Sequence, residues 1–129
     1  MANDRRYLLD TQVFILWMKS DKGFKADLST ILKDPENTVY LSLVSIWEMI
    51  IIKRIGKLKL PNDWKETLAR SRFSILYINL DHLYTLDSLP LHHSDPFDRL
   101  LVAQAISEKA TIITADKKIW RYDLPLIKA

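Results

Sequence analysis

Four carboxylates stand in unusual company in this chain. Asp10 closes the apolar run Tyr7-Leu8-Leu9, and Asp116 lies just past the run Thr111-Ile112-Ile113-Thr114. Glu48 has Val44, Ser45, Ile51 and Ile52 as neighbours at helical spacing, so it faces an apolar side. Asp98 shares one helical face with Leu101, Val102 and Ala105. A carboxylate at the end of a buried stripe is costly unless something pairs with it. Carboxylates packed together repel and cannot all ionise unless a cation joins them. The chain has no cysteine and only 3 His, so the donors are oxygens, which favours Mg²⁺ or Mn²⁺ over zinc, as one or two ions. Such an ion keeps waters and also binds phosphate. One water can be activated to attack phosphorus while the ion offsets the developing charge. The expected chemistry is metal-dependent phosphodiester hydrolysis.

Each acid also has a plainer role open to it. Asp10 can cap a helix that starts at Thr11. Glu48 can sit in a buried salt bridge, with Arg99 as partner. Asp116, in Ala115-Asp116-Lys117-Lys118, can be a turn residue. Pro96 restricts Asp95 to extended backbone and suits the first helical position, so Asp95 is a natural N-cap and Asp98 falls at the third position. That role explains Asp95 fully and Asp98 less well. What weighs against four separate plain roles is that four segments then have to aim structural acids at one rim by accident.

The segments that must do the aiming alternate between short apolar strands and helices. Strands are expected at Tyr7–Asp10, Thr38–Ser42, Ser74–Leu80 and Thr111–Thr114, with an edge strand at Leu124–Ile127. Helices are expected at Thr11–Lys19, Ala26–Leu32 and Ser45–Lys53, from Pro61 to about Arg72, from an Asp81 cap to about Leu89, and from Pro96 to Lys109. This order implies one α/β domain over residues 1–129, a mostly parallel sheet with helices on both faces. Sites in such sheets form beyond the carboxyl ends of the strands, and all four acids reach that rim.

Composition sets limits. Without cysteine, disulfides, thiolate zinc sites, iron–sulfur clusters and cysteine nucleophiles are excluded. Met1 to Arg6 leads into a strand and not into an apolar leader, and no run is long enough to span a bilayer, so a cytoplasmic protein is expected. Net charge is +3 with several acids gathered in one place, so the remaining surface is basic enough to suit a polyanion. Lys53, Arg54, Lys57 and Lys59, with Lys117, Lys118 and Arg121, can follow a phosphate backbone or form an ordinary solvated face. His92-His93 reads as exposed loop, because adjacent loop residues diverge. Trp17, Trp47 and Trp64 read as core or interface.

Taken together, Leu8-Leu9-Asp10-Thr11, Ser42-x-x-Ser45-x-x-Glu48, His92-His93-Ser94-Asp95-Pro96-Phe97-Asp98-Arg99-Leu100-Leu101-Val102-Ala103-Gln104-Ala105 and Ile113-Thr114-Ala115-Asp116 resemble the PIN-domain ribonucleases, and among them the VapC-like toxins of bacterial type II toxin–antitoxin pairs. The pieces occur in the family's order along nearly the whole chain. The resemblance implies a three-layer α/β/α fold, with Asp10, Glu48, Asp98 and Asp116 as the catalytic, metal-binding acids. Asp95, Thr11, Thr114 and Arg99 take supporting places. It implies Mg²⁺ or Mn²⁺, hydrolysis of RNA leaving a 5′-phosphate, a homodimer, and a small cognate VapB-like antitoxin whose tail occupies the active-site groove. Other readings are a PIN nuclease of RNA or DNA processing without an antitoxin, and an inactive PIN binding module. A response-regulator phosphoacceptor ranks last, because Asp10 has no second acid beside it.

Overall fold

Consecutive side chains on a strand point to opposite faces of the sheet. In β1 (Arg6–Leu9) both Leu8 and Leu9 are fully buried, so both faces of this strand are covered. The same holds for Ile112 and Ile113 of β4 (Thr111–Thr114). In the computed structural model, which describes residues 5–19, 26–92 and 94–129, β1 and β4 lie side by side at the centre of a five-stranded sheet. His93 and Met1 to Asp4 lie outside the described residues. The strand order is β3-β2-β1-β4-β5, with β2 at Thr38–Ser42, β3 at Ser74–Leu76 and β5 at Leu126–Lys128, and every pairing is parallel.

Parallel strands need crossovers, and the helices supply them. These are α1 (Thr11–Lys19), α2 (Ala26–Lys33), α3 (Leu43–Arg54), α4 (Trp64–Arg70), α5 (Leu80–Asp87) and α6 (Pro96–Glu108). On one face Val13, Phe14 and Met18 of α1, Leu28 of α2 and Trp64 of α4 pack on Leu9, Val39, Leu41 and Ile113. On the other, Leu101, Val102 and Ala105 of α6 pack on Leu8, Leu76 and Ile112. The expected three-layer α/β/α arrangement is the one found.

Several boundaries differ from those expected. β3 ends at Leu76, not Leu80, because its partner β2 ends at Ser42, which pairs with Leu76. Tyr77 and Ile78 have the side chains of a strand but no ladder to join. The next helix is capped by Asn79 and not by Asp81: the Asn79 side chain accepts from His82 N, and the His82 ring accepts from Asn79 N. α3 starts two residues early, since Ser42 Oγ accepts from Val44 N at 3.0 Å. α4 stops at Arg70, where Ser71 Oγ donates to Leu68 O. Gly56, at φ 80°, turns the chain out of α3.

A buried polar chain ties α3, α5 and α6 together. Ser42 Oγ donates to Gln104 Oε1 at 2.6 Å, and Gln104 Nε2 lies 3.3 Å from His82 Nδ1. His82 Nε2 meets Glu108 Oε2 at 2.8 Å. Ser42, His82 and Gln104 are completely buried. Buried polar groups of this kind stabilise only while each is satisfied. Gln104→Leu keeps the volume but leaves the buried Ser42 hydroxyl without its acceptor and removes one neighbour of the His82 ring, and is expected to cost about 2 kcal/mol. Urea unfolding of the variant checks this: the midpoint should fall at constant slope, and an unchanged midpoint would show that the chain of bonds is not stabilising.

Candidate active site

Two crossovers run outward from β1 to β2 and β3, and the chain then returns to place β4 on β1's other side. The point where the direction reverses lies between the carboxyl ends of β1 and β4. Asp10 directly follows β1 and Asp116 follows β4 by one residue, so the first and last of the four acids meet there. α3 adds Glu48 and the N-terminus of α6 adds Asp98. The result is a cleft of about 180 Å³ lined by Asp10, Thr11, Gln12, Glu48, Asp95, Asp98 and Asp116. A larger hollow of about 450 Å³, between Trp17, Leu32 and Phe73, contains no acid. Chemistry and not size marks the site.

Asp10 both caps α1 and lines the cleft. One carboxylate oxygen accepts from Val13 N at 2.8 Å, which caps α1, and the other accepts from the Thr114 hydroxyl. Its own N–H donates to Ile113 O at 3.0 Å, which continues the β1–β4 ladder. Only 3 % of the residue is exposed. Burial pushes this carboxyl above its ordinary value, with the charge of Asp116 adding to the rise, against hydrogen bonds from Thr114 and from the backbones of Val13 and Ala115 that favour the charged form. Thr114 in turn accepts from Asp116 N at 2.9 Å, so one hydroxyl links the first and fourth acids.

Glu48 is held by Thr11, whose hydroxyl donates to Glu48 Oε1 at 2.6 Å and lies 3.0 Å from Ser45 Oγ. Burial raises the Glu48 pKa, the Thr11 bond opposes the shift, and the charges of Asp95 and Asp10 add to it. No salt bridge to Arg99 forms. The Arg99 guanidinium donates to Pro90 O at 3.0 Å, to the Tyr122 hydroxyl at 3.2 Å and to Leu89 O at 3.4 Å, fastening the loop before α6 and not the acids.

Asp95 is the N-cap expected for α6: its Oδ1 accepts from Phe97 N at 2.9 Å and Asp98 N at 3.1 Å. Asp98 stands beyond it, half-buried, with its pKa pushed up to about 8. Burial is the main cause, followed by the charge of Asp95, a hydrogen bond with Asp116, and the charges of Asp116 and Glu48. Asp116 also fills the turn role open to it, since its Oδ1 accepts from Lys118 N at 2.9 Å.

The donor set fits a divalent cation by its chemistry: oxygen ligands only, repelling one another, with a proton standing in where positive charge is wanted. Among the described residues, no three acid or histidine side chains already surround one point at ligand spacing. Holding an ion there would require the acids to close in around it and Asp98, whose carboxyl is the one pushed up, to give up its proton. The remaining expected residues lie outside the cleft. Lys117 and Lys118 are exposed beside Asp116, whereas Lys53, Arg54 and Lys57 lie exposed at the far end of α3. His92 is exposed, its ring edge-on to Tyr122 at 4.7 Å. Gln12 and the contact of Ser45 with Thr11 were not expected. Gln12 has no sequence signal beyond following Asp10-Thr11, while Ser45 sits one helical turn before Glu48.

Comparison with known proteins bears on the fold and the family. The fold is similar to that of VapBC2 from Rickettsia felis, solved bound to a DNA fragment from its promoter, with a TM-score of 0.75 and 21% identity over 96% of this chain and 98% of that one. VapBC-1 from nontypeable Haemophilus influenzae gives 0.68 and 20% over 95% and 97%. DNA-bound VapBC from Salmonella typhimurium gives 0.71 and 14% over 95% and 97%. No curated protein matches the sequence. The PIN domain profile matches residues 7–124, from the start of β1 to just short of β5, and the chain belongs to the PIN domain family.

Proposed function

We propose that this chain is the toxin of a type II toxin–antitoxin pair, a Mg²⁺- or Mn²⁺-dependent endoribonuclease held in check by a small VapB-like antitoxin. The observation that carries the reading is the convergence of Asp10, Glu48, Asp98 and Asp116, with Asp95, on one cleft at the switch point of a PIN fold. The VapBC assemblies whose fold this chain shares support the antitoxin as partner class. The whole chain acts as one PIN domain, as a homodimer, in the cytoplasm. Among the described residues, no helix is long and apolar enough to cross a membrane.

Asp10, Glu48, Asp98 and Asp116 would hold one or two ions. When bound, a divalent ion supplies Lewis acidity toward water and the phosphodiester. Asp10 and Thr114 provide the fixed side of the cleft, because both are buried and tied to the backbone. Thr11 orients Glu48 toward the same point. Asp98 and Asp116 would complete the cleft opposite them, Asp98 as the acid whose charge most needs a cation beside it.

The test is cleavage of a mixed, structured RNA pool by purified, antitoxin-free protein with Mg²⁺, with Mn²⁺ and with EDTA. Cutting in either metal, abolished by EDTA and by added antitoxin, is the expected result. A folded protein that binds RNA but cuts nothing in either metal would be a binding module instead.

A further inference from the structure

An RNA substrate has to be led into a cleft that is itself acidic, and α3 carries the groups suited to lead it. We propose that α3 is a rail for an unpaired stretch of the substrate, with Trp47 stacking one nucleobase beside the cleft; this rests on the nuclease reading above. Trp47 directly precedes Glu48, and its ring packs edge-on against Phe97, which directly precedes Asp98, with centroids 4.9 Å apart and planes at 74°. The indole therefore bridges α3 and the start of α6 at the border of the acid cluster, braced on one side. It is nevertheless 56% exposed. An indole that served only the core would have its large apolar surface covered. A braced, open aromatic face next to phosphodiester chemistry matches what an unpaired base requires, since every base offers a π-face and single-stranded RNA is held by stacking on such side chains.

The rest of the helix agrees with that occupant. Arg54 lies two turns past Trp47 on the same side of α3, at a rise of about 10 Å. Lys53 adjoins it, Lys57 and Lys59 follow, and all four cations are exposed. Ile50 and Ile51 lie between, partly open to solvent. A polyanion approaching along α3 meets cations first, then a stacking ring, then the carboxylates. Charge complementarity thus selects a nucleic acid strand over a second copy of this basic surface, whose own cations would oppose it.

The experiment uses Asp98→Asn protein, in which cutting is expected to be slowed on the order of 10³-fold, and a fluorescein-labelled RNA of about a dozen unpaired nucleotides, alone or annealed to its complement. Trp47→Ala in that background is expected to weaken binding of the unpaired RNA roughly tenfold, and Trp47→Phe to recover most of the loss. Arg54→Ala is expected to lower the salt slope by about one. With Asp98 intact, Trp47→Ala should raise KM and leave kcat unchanged. Unchanged affinity in Trp47→Ala overturns the proposal and leaves the nuclease reading standing. A smaller species on sizing, with RNA affinity unchanged, overturns it by making this face a contact between copies. Failure of the protein with Trp47 and Arg54 intact to bind the unpaired RNA overturns the proposal, while the nuclease reading stands or falls separately on cleavage of the RNA pool by the parent protein.

Discussion

Asp98→Asn is expected to slow RNA cleavage on the order of 10³-fold and, at pH 8 without metal, to melt higher than the parent protein. The first effect follows from losing one of four acids that would hold the ion. The second follows from the cost of the same carboxylate to the fold. Asp98 is half-buried between Asp95, Asp116 and Glu48, and its pKa of about 8 measures how much this environment resists a charge there. Asparagine removes that charge and keeps a donor for Asp116. After allowance for solvent screening at a half-exposed group, the gain is about 1 kcal/mol, worth several degrees in Tm. Thermal melts in EDTA and multiple-turnover cleavage in Mn²⁺ check the two halves separately. A variant that cuts as fast as the parent removes Asp98 from the site, and one that melts lower at pH 8 removes the repulsion argument.

The second large effect is a pH dependence whose sign reverses with metal. In the folded protein Asp98 keeps its proton up to about pH 8, whereas its ordinary value is 3.8. Between those values the folded state binds more protons than the unfolded one, so stability falls as pH rises across the window. The contribution is complete below about pH 4 and gone above about pH 8. Burial raises Asp10 and Glu48 as well, which adds in the same direction. Tm measured in EDTA should therefore decline from pH 5 toward pH 8, by an amount equivalent to about 1–3 kcal/mol. With saturating Mn²⁺ the trend should invert, because ligands must lose their protons to bind and the ion competes better as pH rises. Asp98→Asn should flatten the EDTA curve. Identical slopes in EDTA and Mn²⁺ would show that these acids do not bind the ion.

The convergence of the acids on one cleft could be read from residues because they sit at element ends, where local chemistry is strong. Asp95-Pro96 is a cap followed by a first-turn proline, and both are found in those places. Asp10 after Leu8-Leu9 and Asp116 after Ile112-Ile113 mark strand ends, and the parallel topology brings strand ends together. What escaped depends on partners far away in the chain. The run Ser74 to Leu80 has strand composition throughout, but only Ser74–Leu76 has a neighbour to pair with. The Ser42–Gln104–His82 chain joins residues up to 62 positions apart, and no local pattern of any of the three names the other two as its partners. Arg99 looked like a partner for Glu48 because opposite charges attract at any separation that sequence leaves open. In the folded chain two loop carbonyls and Tyr122 take its donors instead.

The bond between Asp10 and Thr114 spans 104 positions of sequence, and β4 inserts beside β1 only after every other site-bearing segment has been laid down. A ribosome making this chain therefore exposes Asp10 long before its partner exists. Until β4 arrives the first acid has neither its hydroxyl partner nor its strand neighbour, and Asp116 is not yet present at all. Contacts this distant form late and together. The cleft proposed to cut RNA is therefore incomplete until the last of its acid-bearing segments has been made.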